Sequence, residues 1–264
     1  MLDSEREEIR QAVRDKYSSV AQAANAGCGC STSSCCSPGD IPIALGYSPG
    51  QLTAAPEGAN MGLGCGNPHA IAALKEGETV LDLGSGGGFD CFLAARAVGE
   101  TGRVIGVDVT PEMVSKARQN GASTGFRNIE FRLGEIENLP VADASVDVII
   151  SNCVINLSPE KSRVFREALR VLKPGGRLAI SDVVATTQLP DEMKKDLALY
   201  TGCIAGAASV DELIDILREA GFTDIRIKPK DESREFIRDW APGMRVEDFV
   251  VSATIEAARP CCCS

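Results

Sequence analysis

VLDLGSGGGFD, Val80 to Asp90, decides the fold of this chain. Strand-forming sequence runs directly into glycines at 84, 86, 87 and 88, where a strand must turn into a helix. Working outward, Thr79 to Leu83 reads as the first strand and Gly88 to Val98 as the helix that follows. Arg103 to Asp108 is a second strand. Thr110-Pro111-Glu112 starts a helix, with a cap, a proline in the first turn and an acid favoured by the helix dipole. Asn128 to Leu133 and Ser145 to Ser151 are strands three and four. Ser158-Pro159-Glu160 opens another helix, closed by Lys173-Pro174-Gly175-Gly176, and Arg177 to Val184 is strand five. Such alternation predicts an α/β protein with a doubly wound, mostly parallel sheet.

The flanks differ. Asp3 to about Ala26 reads as an amphipathic helix, with Ile9, Val13, Tyr17 and Val20 on one face. GCGCSTSSCCSPGD (Gly27 to Asp40) fits neither helix nor strand, and Ile41 to Gly66 reads as an ordered loop or cap. Asn67-Pro68 starts a short helix ending near Gly77. Beyond Ala185, Asp191 to Tyr200 and Ser209 to Ala220 read as helices, and Ile225 to Lys228 and Asp248 to Thr254 as the last strands. The expected organisation is an N-terminal helix and Cys-rich cap (1–66), a nucleotide-type domain (67–185), a C-terminal α+β lobe (186–256) and a flexible Cys-rich tail (257–264).

Composition excludes several functions. The net charge of −10 and the lack of a basic run argue against nucleic acid. No apolar stretch is long enough to span a bilayer, and the charged MLDSEREEIR start has no apolar signal region. Eleven cysteines, an odd number without an export signal, argue for metal ligands or redox thiols in a reducing compartment. The expectation is a cytoplasmic monomer. His69 is the single histidine, so multi-histidine metal sites are excluded.

The glycine loop departs from a dinucleotide fingerprint, since Gly84-x-Gly86-x-Gly88 has another spacing. Asp82, two residues before it, would repel a pyrophosphate but suits a cationic amine. Asp108, ending strand two, can accept two ribose hydroxyls. A generic glycine turn and an NAD site are the alternatives. This arrangement resembles the class I S-adenosylmethionine methyltransferases, in which the loop packs against the methionine part of the cofactor. The resemblance extends over GEIENLP (Gly134 to Pro140), where Glu135 and Ile136 border the adenine, and over the LKPGG before strand five. It implies S-adenosylmethionine as cofactor, bound by Asp82, Gly84, Ser85, Gly86, Gly88, Asp108, Val109, Met113, Glu135, Ile136 and Asn152.

Four further segments carry cysteines: SSCCSPGD (Cys35, Cys36), GLGCGNP (Cys65), SNCVINL (Cys153) and TGCIAG (Cys203). Cys153 directly follows strand four, at the sheet edge where open α/β folds bind ligands. Along nearly its whole length the chain resembles the arsenite S-adenosylmethionine methyltransferases. That resemblance implies that Cys65, Cys153 and Cys203 bind trivalent arsenic and that Cys36, or Cys35 beside it, is a relay thiol. Its substrates would be arsenite and methylarsenite, with mono- and dimethylated products and trimethylated ones as a further alternative, and thioredoxin or glutathione would be the thiol reductant. The chemistry agrees independently. Thiolates favour soft centres, and three can hold As(III) as a pyramid whose lone pair carries no proton, so methyl transfer needs no general base. Orientation then supplies rate, worth roughly 7–11 kcal/mol.

Other residues read structurally. Cys91 is a buried small hydrophobe, His69 a surface or capping group, and Trp240 a packing anchor. Cys28 and Cys30 form a solvent-facing pair or join Cys35 and Cys36 at zinc, although C-x-C-x4-C-C is an unusual zinc spacing. Cys261, Cys262 and Cys263 capture metalloid or do nothing essential. Two rival functions remain: methylation of a small organic acceptor such as a quinone, in which the cysteines are dispensable, and metalloid or zinc sequestration without turnover.

Overall fold

A computed structural model describes residues 2–22, 43 and 45–261. The element order is α1 (Asp3–Gln22), α2 (Pro49–Ala54), α3 (His69–Ala72), β1 (Thr79–Leu83), α4 (Phe89–Val98), β2 (Arg103–Asp108), α5 (Pro111–Ala122), β3 (Ile129–Leu133) and β4 (Val146–Asn152). There follow α6 (Lys161–Val171), β5 (Leu172–Ala185), α7 (Asp191–Lys194), α8 (Leu197–Thr201), α9 (Val210–Ala220), β6 (Thr223–Lys230), α10 (Arg234–Ile237) and β7 (Val250–Ala258).

The seven strands form one sheet in the order β3-β2-β1-β4-β5-β7-β6. The first five are parallel, and β7 runs antiparallel to both neighbours. Strand order reverses at β1, so the carboxyl ends of β1 and β4 open a crevice of the kind where α/β proteins bind ligands. Alternation along each strand divides the core. Leu81, Leu83 and Ile149 pack with Phe165 of α6 and Leu213 and Leu217 of α9. Val80, Val148 and Ile150 pack on the other face with Phe92 of α4 and Val114 of α5. A smaller cluster joins Cys65 and Val183 to Leu199, Ile204, Ile237 and Val250.

Several expectations change. The helix expected from Asn67 to Gly77 stops at Ala72, because Ala73 turns left-handed at φ 44°. Lys173-Pro174-Gly175-Gly176 is no turn closing a helix: α6 passes straight into β5, whose first residue pairs with Val146. Gly175 and Gly176 then exchange backbone hydrogen bonds with Arg259. Asp191 to Tyr200 breaks into two helices, the second capped by Asp196, whose carboxylate accepts from the Ala198 and Leu199 amides. The stretch 186–256 is not a separate lobe, since β6 and β7 complete the same sheet. The tail does not loosen at 257 either. Ala257 and Ala258 belong to β7, and the Arg259 guanidinium donates to the Leu169 and Arg170 carbonyls.

Helix α1 lies across the mouth of the crevice. Its buried face carries Ile9 and Val13, as its spacing predicts. Arg6 and Arg10 pair with Glu160, and the Tyr17 hydroxyl donates to the Thr201 carbonyl at 3.3 Å. Residues 23–26 of the expected helix lie outside the described residues.

Candidate active site

The crevice is a cavity of about 320 Å³, within the usual range for a small-molecule site. One wall is the glycine loop. Gly84, Gly86 and Gly88 all have positive φ, at 72°, 50° and 91°. A Cβ on Gly86 would meet nothing within 4 Å, so this glycine opens directly onto the cavity. Gly84 has the opposite problem: its Cβ would fall 2.4 Å from Val154 Cγ2. Gly88 does not line the cavity. It serves packing instead, because a Cβ there would meet Phe131 and Phe92 under 3.0 Å. Gly87 lines the wall in its place.

Asp82, Ser85, Asp108, Val109, Met113, Glu135, Ile136 and Asn152 all line the same cavity. Asp108 holds the loop in shape, its Oδ2 accepting from Gly86 N and its Oδ1 from Thr110 N, both at 2.9 Å. Asp82 is buried, and burial pushes its carboxyl well above the usual range, helped by the charges of Asp90 and Asp108. Burial beside two other acids thus disfavours the ionised form of Asp82, and a cationic ligand removes that conflict. The buried Ser85 hydroxyl has no protein partner. Together the open glycine, the acidic wall and this orphaned hydroxyl fit the amino and sulfonium groups of S-adenosylmethionine.

Cys153 and Cys203 also line the cavity. Cys65 and Cys203 are buried, Cys153 is half-buried, and all three are free thiols. Cys65 follows the loop after α2, Cys153 follows β4, and Cys203 follows α8. The Cys153 thiol is hydrogen-bonded with those of Cys203 and Cys65. These bonds, and then burial, hold it well above its ordinary pKa. Cys203 Sγ also donates to the Cys153 carbonyl at 2.8 Å. Its hydrogen bond with Cys153 favours the thiolate, but burial and the neighbouring Asp182 charge leave its pKa raised. Cys153 and Cys203 have φ of 59° and 65°. The left-handed region costs a residue with a Cβ roughly 1–2 kcal/mol. Two sulfur-bearing residues in one cluster therefore hold backbone strain, a pattern associated with functional sites.

Asp182 was not anticipated. A carboxylate oxygen of Asp182 and the sulfurs of Cys65 and Cys153 all lie within 4.8 Å of one another. Asp182 accepts from Ile155 N, Asn156 Nδ2 and Val183 N at 2.7–2.9 Å. Burial raises its pKa from 3.8 to about 6, against those bonds and the charge of Lys161. Lys161 is itself lowered to about 8, chiefly by burial. Because folding raises the Asp182 pKa, the folded state binds the proton more tightly between pH 3.8 and about 6. Its stabilising contribution is complete below 3.8 and is lost as pH rises through 6. We expect urea unfolding of Asp182→Asn to lack this component of the pH slope, which integrates to about 3 kcal/mol at 1.36 kcal/mol per unit. An unchanged slope between pH 4 and 7 would reject the assignment.

Other readings change here. His69 is not a surface group: its side chain is 8% exposed, with Nε2 3.2 Å from Asp90 Oδ1. Cys91 is buried as expected, yet its thiol donates to Asp82 Oδ2 at 3.3 Å and so contributes to the acidic wall. Trp240 packs against Phe236 and also lines the cavity. Asn152 reaches the cavity, but its amide is engaged with the backbone around Cys65. Cys28, Cys30, Cys35, Cys36, Cys262 and Cys263 lie outside the described residues, as does the proposed relay. Cys261 is exposed. Asp90 stood at the end of the quoted loop segment, and helical phase alone could have turned it towards Asp82. Asp182 and Lys161 carried no such signal.

Fold and site together define a methyltransferase of the S-adenosylmethionine-dependent class, and residues 74–221 match a family described as a methyltransferase domain. The chain is 54% identical to an arsenite methyltransferase of Halobacterium salinarum, over 98% of its own length and 69% of that protein. It is 42% identical to one of Aquipseudomonas alcaligenes, over 83% of this chain and 63% of that one. A crystal structure of an arsenic(III) S-adenosylmethionine methyltransferase from Chlamydomonas reinhardtii superposes with a TM-score of 0.64. The two share 35% identity, covering 86% of this chain and 76% of that one. The chain belongs to the arsenite methyltransferase family. It spans about two thirds of the length of the first two relatives. Among the described residues, no helix is long and apolar enough to cross a membrane.

Proposed function

We propose that this protein methylates arsenite with S-adenosylmethionine, holding As(III) on Cys65, Cys153 and Cys203. The observation that carries the reading is the clustering of three thiols at the cavity: Cys153 and Cys203 line it, both at strained backbone positions, and the Cys65 sulfur lies within 4.8 Å of that of Cys153. The raised pKa values of Cys153 and Cys203 do not obstruct loading. Exchange of three thiols with As(OH)3 gives a tris-thiolate and three waters, with no net proton released. Methylarsenite, with one position already taken by carbon, needs only two of the thiols.

S-adenosylmethionine supplies an electrophilic methyl group. Asp82 and Asp108 bind and orient, and the cysteines present the arsenic lone pair. When the As–C bond forms and the S–CH3 bond breaks, arsenic becomes formally pentavalent. Two thiolates return it to As(III) by giving up two electrons and forming one disulfide. An external thiol system, thioredoxin or glutathione, then reopens that disulfide. Cys36 or Cys35 acts as the relay thiol in this reading. A cytoplasmic location fits these thiols, and a monomer fits a thiol set assembled from one chain.

The test is incubation with methyl-labelled cofactor, arsenite and a thiol reductant, followed by separation of arsenic species. Labelled mono- and dimethylarsenicals are expected. Bound cofactor with no labelled arsenical, but with turnover of a quinone-type acceptor, would replace this reading by the organic-acceptor one. Arsenite binding without any turnover would leave sequestration.

A further inference from the structure

Tyr47 stands between the two halves of the site. It is buried, 4% exposed, and its ring meets Phe89 edge-on at 5.1 Å. Its hydroxyl donates to Asp90 Oδ1 at 2.7 Å and accepts from Asn152 Nδ2 at 3.0 Å. Asn152 in turn grips the backbone on both sides of the Cys65 side chain. Its Oδ1 accepts from Cys65 N at 3.0 Å, and its Nδ2 donates to Gly66 O at 2.8 Å. The preceding Gly64, at φ 120°, is moulded to that amide: a Cβ there would fall 2.7 Å from Asn152 Nδ2. An unbroken path of hydrogen bonds therefore runs from the acidic wall through Asp90, Tyr47 and Asn152 to the backbone that aims the Cys65 sulfur.

We propose that Tyr47 and Asn152 are positioning residues that couple the cofactor's amino-acid group, bound at the acidic wall, to the placement of Cys65. A cation at Asp82 and Asp90 fixes the Asp90 carboxylate, which fixes the Tyr47 hydroxyl and so the Asn152 amide. Cys65 is then held in register with Cys153 and Cys203. By linkage the effect is reciprocal: arsenic on the thiols tightens the cofactor by the same factor. The inference deepens the arsenite reading and rests on it.

The experiment is calorimetric titration of the full chain with arsenite under a phosphine reductant. It is run alone, with saturating S-adenosylhomocysteine, and with 5′-methylthioadenosine, which keeps the nucleoside and thioether but lacks the amino-acid group. In the wild type, S-adenosylhomocysteine is expected to tighten arsenite about tenfold, within the ordinary range of coupling between sites, and methylthioadenosine to leave it unchanged. In Tyr47→Phe, which keeps the ring and loses both hydrogen bonds, each ligand alone should bind within about threefold of wild type while the coupling factor falls to about one. A merely structural role would weaken the separate affinities and spare their ratio. Full coupling in Tyr47→Phe, or equal coupling by methylthioadenosine in the wild type, would overturn the proposal. The wild-type comparison of the two nucleosides decides it even where Tyr47→Phe does not fold. Wild type that binds S-adenosylhomocysteine but no arsenite would remove the arsenite reading itself, a result distinct from uncoupled binding of both.

Discussion

Replacing Cys153 by serine should abolish arsenite methylation while leaving the cofactor bound. Its thiol is the centre of the sulfur cluster, hydrogen-bonded with both other thiols. A serine oxygen is a hard donor with little affinity for As(III). The backbone would survive, because Cys153 N donates to Ser181 O at 2.8 Å whatever the side chain. We expect turnover to fall at least about a thousandfold, equivalent to roughly 4 kcal/mol of barrier, with S-adenosylhomocysteine affinity unchanged. Cys153→Gly makes the same point with opposite stability. Glycine relieves the left-handed strain at φ 59°, so this variant should match or exceed the wild-type melting temperature and be equally inactive. Retained activity in either variant would remove Cys153 as an essential ligand. A melting temperature several degrees lower in Cys153→Gly would show that the strain is not held for the sake of the thiol.

Gly84→Ala should disable both halves of the site at once. Its φ of 72° disfavours any Cβ. The added methyl would lie 2.4 and 2.6 Å from the two Cγ atoms of Val154. Val154 is bonded to Cys153, so relief of that overlap pushes the thiol as well as the loop. Left-handed strain of roughly 1–2 kcal/mol adds to about 1–3 kcal/mol of overpacking. The expected result is at least a tenfold loss of S-adenosylhomocysteine affinity by calorimetry, with a lower melting temperature. Gly86→Ala is the control. It meets a φ of 50° but no neighbour within 4 Å, so it should harm cofactor binding with less loss of stability. Equal destabilisation by the two substitutions would show that the Val154 contact is unimportant.

Much of the architecture was legible because it is local. The strand bounds Thr79–Leu83 and Arg103–Asp108 follow from apolar runs that end at glycine or aspartate. The helix read from Ser209 begins there as expected, and the structure adds the box Ser209 forms with Glu212. The boundaries that failed were decided by partners distant in the chain. Lys173 to Gly176 looks like a turn until Arg259 bonds to Gly175 and Gly176, and residues 186–256 look like a separate lobe until β7 adds to β5.

The same division runs through the site. By itself the sequence determined the class of chemistry: an acidic glycine loop for a cationic cofactor, thiols in place of histidines, and a cysteine directly after a strand at the ligand-binding edge. Those properties reside in residue type and in spacing along one segment. Only the tertiary structure decided that Gly88 packs while Gly87 lines the cavity, and that His69 is buried against Asp90. It alone placed Asp182 beside Cys65 and Cys153, and Tyr47 as the link between acid and sulfur. Each depends on contacts between segments tens of residues apart, and a side chain's burial and partners are set by what the rest of the chain packs around it.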